Sequence, residues 1–202
     1  MRRSIRSFVM VLAVTVFLAN GVSAQNLLIN PDFDTDLAGW EGPGVWDPAD
    51  AFGSPSSGSA TWINNFTAGG SSFVRQCVEL SPWIEGYDVA AHVFIPSAQP
   101  GSGYAYITVA FYSDATCDTF TVGFGSQSAV AFDVWTLLNF TGWTPNGAAS
   151  AKVAVTNQKT ATGDFQTFAD SVYFARNPEM VFGDGFESGD LAAWNVVAAV
   201  VK

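Results

Sequence analysis

The run GYAYITVAFY at 103–112 most constrains what this chain can become, because its side chains alternate without a break. Ala105, Ile107, Val109 and Phe111 share one parity; Tyr104, Tyr106, Thr108 and Tyr112 share the other. A period of two is that of extended backbone with one face turned to a core and the other to a wetter surface, whereas a helical period of 3.6 would scatter both sets. VAAHVFIP at 89–96 splits in the same way, with Val89, Ala91, Val93 and Ile95 against Ala90, His92 and Phe94. Similar runs lie near 26–30, 58–64, 72–80, 86–95, 103–112, 119–124, 132–142, 150–156 and 166–175, separated by Gly, Ser, Pro and Asn clusters, and no long helical period occurs. Nine short strands predict an all-β chain folded as a two-sheet antiparallel sandwich. If strands 86–95 and 103–112 are neighbours, His92, Phe94, Tyr104 and Tyr106 share one face.

The ends of the chain read differently. Arg2, Arg3 and Arg6, an apolar run over 8–19 and the small-residue triplet Val22-Ser23-Ala24 have the order of a secretory signal peptide over 1–24, cleaved after Ala24. The apolar run falls short of the ~20 residues a membrane span needs, so export without membrane insertion is expected. Residues 25–176 are about one domain in size. After Asn177-Pro178 the composition shifts to a tail over 177–202, in which Phe186-Glu187-Ser188-Gly189-Asp190-Leu191 echoes Phe33-Asp34-Thr35-Asp36-Leu37. The chain has 8 basic and 18 acidic residues. Loss of the three leader arginines takes the formal charge from −10 to −13, a sign that repels nucleic acid and anionic membranes. Two cysteines occur, Cys77 and Cys117; in an exported protein a disulfide is the simplest reading, two buried thiols the other. A bridge across 40 residues would stabilise the fold by about 2–4 kcal/mol.

Candidate chemistry is concentrated in acids and aromatics. The opening NLLINPDFDTDLAGW sets Asp32, Asp34 and Asp36 at alternate positions, and alternating acids in a turn can supply the hard oxygens that calcium takes six to eight at a time. It is not a helix-loop-helix calcium loop, since Leu37 occupies the glycine position and no glutamate closes it. Turn formation and solubility are the other account of these acids. Exposed aromatic rings suit the apolar faces of pyranoses. Tyr104 and Tyr106 stand opposite an aliphatic face, and Trp46, Trp62 and Trp83 lie near strand or loop ends. Trp40 and Trp135 read as structural. His92 is the one histidine, either a satisfied structural residue or a hydrogen-bonder to sugar. One histidine and no Gly-x-Ser-x-Gly disfavour metal-dependent and serine hydrolases. A glycosidase needs two facing carboxylates, and Glu79, Glu85, Asp114 and Asp118 fall near strand ends, where solvated acids are the rule.

In order along 26–175, NLLINPDFDTDLAGW, SFVRQCVEL, VFIP, VAFYSDATC, VWTLLNFTGWTP, AKVAV and FADSVYF resemble CenC-type carbohydrate-binding modules, galactose-binding-like jelly-roll sandwiches. Pro31 replaces a common glycine, Asp34 a common glutamate, and Ser171 a frequent second aspartate. The resemblance implies a structural calcium ion joining first and last strands, held by Asp34 and Asp170 with help from Asn30 or Asp32. It also implies binding without catalysis. GDGFESGD-type endings are similarly found on secreted bacterial proteins, which makes the tail a candidate sorting tag.

Two functions follow as expectations. The first is a secreted or cell-surface, non-catalytic protein that docks on a polysaccharide or oligosaccharide through Tyr104, Tyr106, His92 and Trp62, beside separate polysaccharide-degrading enzymes. The second is a structural or adhesive surface protein that uses the sandwich as scaffold.

Overall fold

The computed structural model describes residues 24–81, 86–126 and 128–177. The leader before Ala24, the tail from 178 onward, Trp83 and Glu85 lie outside the described residues. The described chain forms nine strands and no helix: β1 Val45–Asp47, β2 Ser59–Asn64, β3 Ser71–Glu79, β4 Gly86–Phe94, β5 Gly103–Tyr112, β6 Phe120–Gly125, β7 Thr136–Trp143, β8 Ser150–Lys159 and β9 Phe165–Asn177. They make two antiparallel sheets, a five-stranded one ordered β1-β2-β9-β4-β7 and a four-stranded one ordered β3-β8-β5-β6.

The alternation in the sequence becomes the core between the sheets. Ala105, Ile107, Val109 and Phe111 of β5 are buried, as are Val153 and Val155 of β8 beside them. Facing them are Tyr87, Val89, Ala91 and Val93 of β4 and Phe165, Val172 and Phe174 of β9. Tyr87 and Phe174 stack with centroids 4.8 Å apart.

Strand β9 changes parity part-way. Opposite β4 the register jumps between Ala90 and His92, so that Ser171, at φ 47°, and Val172 share the space of one partner residue. Such a bulge re-aims every later side chain: Phe165 and Ala169 point inward before it, Val172 and Phe174 after it, and Asp170 is left pointing outward. The opening turn docks there, since Val172 N donates to Pro31 O and Ser171 Oγ lies 3.1 Å from Asp32 Oδ1.

Two expectations about strands need correction. Residues 26–30 form no strand; they make one bridge, Asn26 to Ala175, and then turn, because Asn30 takes a positive φ and caps the turn with its own side chain. The short β1 at the sheet edge has no alternation long enough to read in advance. Cys77 and Cys117 form a disulfide with Cα atoms 6.1 Å apart, tying β3 to the turn after β5.

Candidate functional site

The outer face of the four-stranded sheet is built by register. Tyr104 lies beside Gln158 and Ser71, Tyr106 beside Thr156 and Phe73, and Thr108 beside Ala154 and Arg75, so each row crosses β5, β8 and β3. The two tyrosine rings are 5.9 Å apart, inclined by 37°, and half-buried. Gln158 is pinned: its Nε2 donates to Gly69 O at 2.8 Å and its Oε1 accepts from Ser71 Oγ. The Arg75 guanidinium sits 4.9 Å from the Phe73 ring centroid while its Nε donates to Glu41 at 3.0 Å. At the far end Lys152 lies 5.2 Å from the Tyr112 ring and donates to Cys117 O. The face thus offers rings for apolar contact and an amide, a guanidinium and an ammonium along the same strands. Gln158, Arg75 and Phe73 escaped the sequence reading because strand pairing decides which residues join the tyrosines.

Asp114, in the turn after β5, is not tuned as a general acid. The Asp118 backbone N–H holds the Asp114 carboxyl well below the usual range, against desolvation and with help from Thr119 and Thr116. A general acid requires the opposite shift.

His92 and Trp62 do not belong to the tyrosine face. Although β4 and β5 are consecutive, the connection between them crosses from one sheet to the other. His92 and Phe94 therefore lie on the opposite outer surface of the sandwich from Tyr104 and Tyr106. The His92 ring packs edge-on against Phe52 at 4.8 Å, burial pushes its pKa down, and its Nδ1 is buried with no partner. Trp62 is 2% exposed and points inward from β2 with Ala60 and Asn64, so it is a core residue and out of a ligand's reach. Trp46, on the edge strand β1, donates to Phe33 O at 2.8 Å. Trp40 closes the first turn, donating to Ile29 O and Asn30 O. Trp135, read from sequence as core, is half-exposed on the outer face of the five-stranded sheet, 5.5 Å from Phe94. Its parity with Asn139 and Thr141 is the signal that places it there.

Acids gather at the β9 bulge. Asp170 is fully buried on the outer side of its sheet, beneath the 48–57 loop; Ala51 N donates to Oδ2 at 2.8 Å and Ser171 N to Oδ1 at 2.6 Å. Desolvation pushes its pKa up to about 6, against the pull of those two hydrogen bonds, and the charges of Asp50 and Asp32 push the same way. Asp50 was missed from sequence. Desolvation opposes its ionisation, yet hydrogen bonds from Ser57 and the backbone of Ser54, Phe52 and Gly53 outweigh that and hold its pKa low. Its signal was the Asp-x-x-Gly-Ser turn at 50–54. Asn30 spends its side chain on the turn, accepting from Asp34 N and donating to Asp36 O, and Asp34 stays exposed.

Among the described residues no cationic side chain pairs with Asp170, and no three His, Cys, Asp or Glu side chains are spaced to hold a metal on their own. A buried carboxylate with two acids beside it and no counter-charge fits a hard cation whose remaining ligands are carbonyls and water.

No family model matches the chain, and no curated protein matches it. Solved structures do match its fold. A family 16 carbohydrate-binding module superposes with TM-score 0.53 at 20% identity, over 74% of this chain and 99% of that one. The enzymatically active domain of tailspike protein 4 of bacteriophage CBA120 gives 0.57 at 10% identity, over 75% and 21%. The Clostridium thermocellum xylanase 10B fragment with its CBM22-1 and GH10 modules, complexed with xylohexaose, gives 0.52 at 15% identity, over 74% and 28%. The chain has the β-sandwich fold of carbohydrate-binding modules, a fold it also shares with parts of larger enzymes.

Proposed function

We propose that the chain is an exported, non-catalytic carbohydrate-binding protein that docks on polysaccharide through Tyr104 and Tyr106, with Gln158 and Arg75 addressing hydroxyls beside the rings. The observation that carries this reading is the tyrosine pair set beside fixed polar groups on a sheet braced by the Cys77–Cys117 bridge. The sandwich fold supports it, as does the disulfide, which fits an oxidising compartment. Separate polysaccharide-degrading enzymes are the partners such a binder would serve.

A structural calcium ion belongs to the same proposal. Asp170 would hold it at the bulge with carbonyl oxygens and water completing its shell and the charges of Asp32 and Asp50 beside it, clamping the opening turn and the 48–57 loop onto β9. Asp34 and Asn30, expected as ligands, are the outer members of that turn. Calcium would supply the counter-charge that Asp170 lacks.

The test is a pull-down on a panel of insoluble polysaccharides with the exported chain and with Tyr104→Ala and Tyr106→Ala. Binding to one polysaccharide class is expected, and each substitution should weaken it about tenfold, or about 1.4 kcal/mol. A folded chain that binds nothing across the panel would remove the proposal.

A further inference from the structure

The tyrosine face carries charge of one sign in a chain dominated by the other. Among the described residues the basic side chains are Arg75, Lys152, Lys159 and Arg176. Lys159 is buried and donates to Phe66 O, and Arg176 ends β9 in the other sheet. Arg75 and Lys152 both stand on the tyrosine face, and across β3, β8 and β5 the four rows from Tyr104 to Ala110 hold no acid beside them. The nearest acids lie around its edge. Glu41 accepts from Arg75 Nε, Glu79 occupies the next row beside Ser150, and the Asp114 and Asp118 carboxylates both accept from Thr116 Oγ1 in their own turn.

We propose that the polymer lying across Tyr104 and Tyr106 is an acidic polysaccharide, whose carboxylate or sulfate groups are taken by Arg75 and Lys152; this rests on the sugar-binding reading. Unspent donors are the first argument. Arg75 gives its Nε to Glu41 at 3.0 Å, and its two Nη groups have no partner among the described residues. The guanidinium lies 4.9 Å from the centroid of Phe73, whose row also holds Tyr106, so it is held next to the rings. Such a fork matches a carboxylate or sulfate with two parallel hydrogen bonds. Neutral hydroxyls need no cation, and Gln158 already serves them.

Placement is the second argument. Lys152 spends one of its three donors on Cys117 O at 3.1 Å, and its ammonium lies 5.2 Å from the Tyr112 ring. Rows on one face of a strand repeat every two residues, about 7 Å, so the row of Lys152 lies about 20 Å from that of Tyr104. Rings and cations thus succeed one another along the strands. An extended polymer with repeated anionic groups meets them all, and a single sugar does not.

The net charge of the chain opposes such a ligand only at long range. Asp47, Asp88 and Asp170 lie on the outer face of the five-stranded sheet, and packed sheets are separated by about 10 Å. Exposed charges that far apart are largely screened at physiological salt, where the Debye length is about 8 Å. The cations on the face therefore decide what it accepts. Glu41 both aims Arg75 and competes with the ligand for it.

Isothermal titration calorimetry of the exported chain with soluble neutral, uronate-bearing and sulfated oligosaccharides tests the inference, with variants checked for folding by circular dichroism. Binding to an anionic series is expected in preference to the neutral one, weakening as salt is raised, and the arm that binds tells carboxylate from sulfate. Arg75→Gln should weaken it about tenfold, Lys152→Gln should weaken it also, and Glu41→Gln should strengthen it. Binding to neutral oligosaccharides that is as tight and is unchanged in Arg75→Gln would overturn the acidic ligand and leave sugar binding at the tyrosines standing. Anion binding that persists in Tyr104→Ala and Tyr106→Ala would overturn it as attraction to charge alone. A folded chain that binds none of the three series would remove both readings together.

Discussion

If calcium sits at the β9 bulge as proposed, chelating it lowers the melting temperature of the protein, and the loss is greater at pH 7 than at pH 5. The reason lies in Asp170, whose pKa is pushed from 3.8 up to about 6, chiefly by desolvation, with Asp50 and Asp32 adding repulsion. An acid with a raised folded pKa favours folding only while protonated. In the metal-free protein, stability is therefore lost as the pH climbs from about 4 through about 6. The shift corresponds to at most about 3 kcal/mol, and solvent screening brings it nearer 2. For a chain of this size that is roughly 4–8 °C. Calcium removes the penalty by binding the ionised form, and protons compete with it as the pH falls. Differential scanning calorimetry with and without chelator at the two pH values measures the effect, and Asp170→Asn should abolish the response. A melting temperature indifferent to calcium in both conditions would leave the bulge without a metal.

Phe174→Ala unfolds the protein more readily than any substitution on the proposed sugar face, costing about 4 kcal/mol. Phe174 is 0% exposed, stacks on Tyr87 and lies just past the β9 bulge, so its loss leaves a cavity that the backbone around it, paired to Val89 of β4 on one side and bonded to Leu27 on the other, cannot collapse to fill. Tyr104 lies on the outer surface with its ring partly in water, and Tyr104→Ala should cost less than about 1 kcal/mol. Chemical denaturation of the two variants separates them. Equal losses would mean that Tyr104 packs as core and is unavailable to a ligand.

How much of this was legible in the sequence depended on the range of the interaction. Strand β5 was readable in full because a period of two is a local property, and β4 likewise. The inward faces of both came out as expected, Ile107 and Val93 included. Strand β2 was expected where it lies, near 58–64, but its inward face was not legible, since both parities of SATWIN mix polar and apolar residues, and Trp62 was assigned to the wrong side. Sheet membership is not local at all. His92 and Tyr104 looked like neighbours because their strands are consecutive, while hydrogen bonding sends β4 to β9 and β5 to β8. The bulge at Ser171 was equally invisible; it turns Val172 and Phe174 inward while Asp170, just before it, keeps the outward direction of Gln166 and Phe168. The acids of the opening turn were visible as a group, but which of them approach β9 was set by the cap that Asn30 makes to its own turn.

The claim that sugar lies across Tyr104 and Tyr106 is tested most directly by amide and side-chain NMR shifts on titrating the isotopically labelled protein with soluble oligosaccharides. The account predicts that shifts concentrate on Tyr104, Tyr106, Gln158, Thr156, Phe73 and Arg75, with His92, Phe94 and Trp135 unmoved. Shifts confined to the outer face of the five-stranded sheet, or no shift with any oligosaccharide, would contradict it.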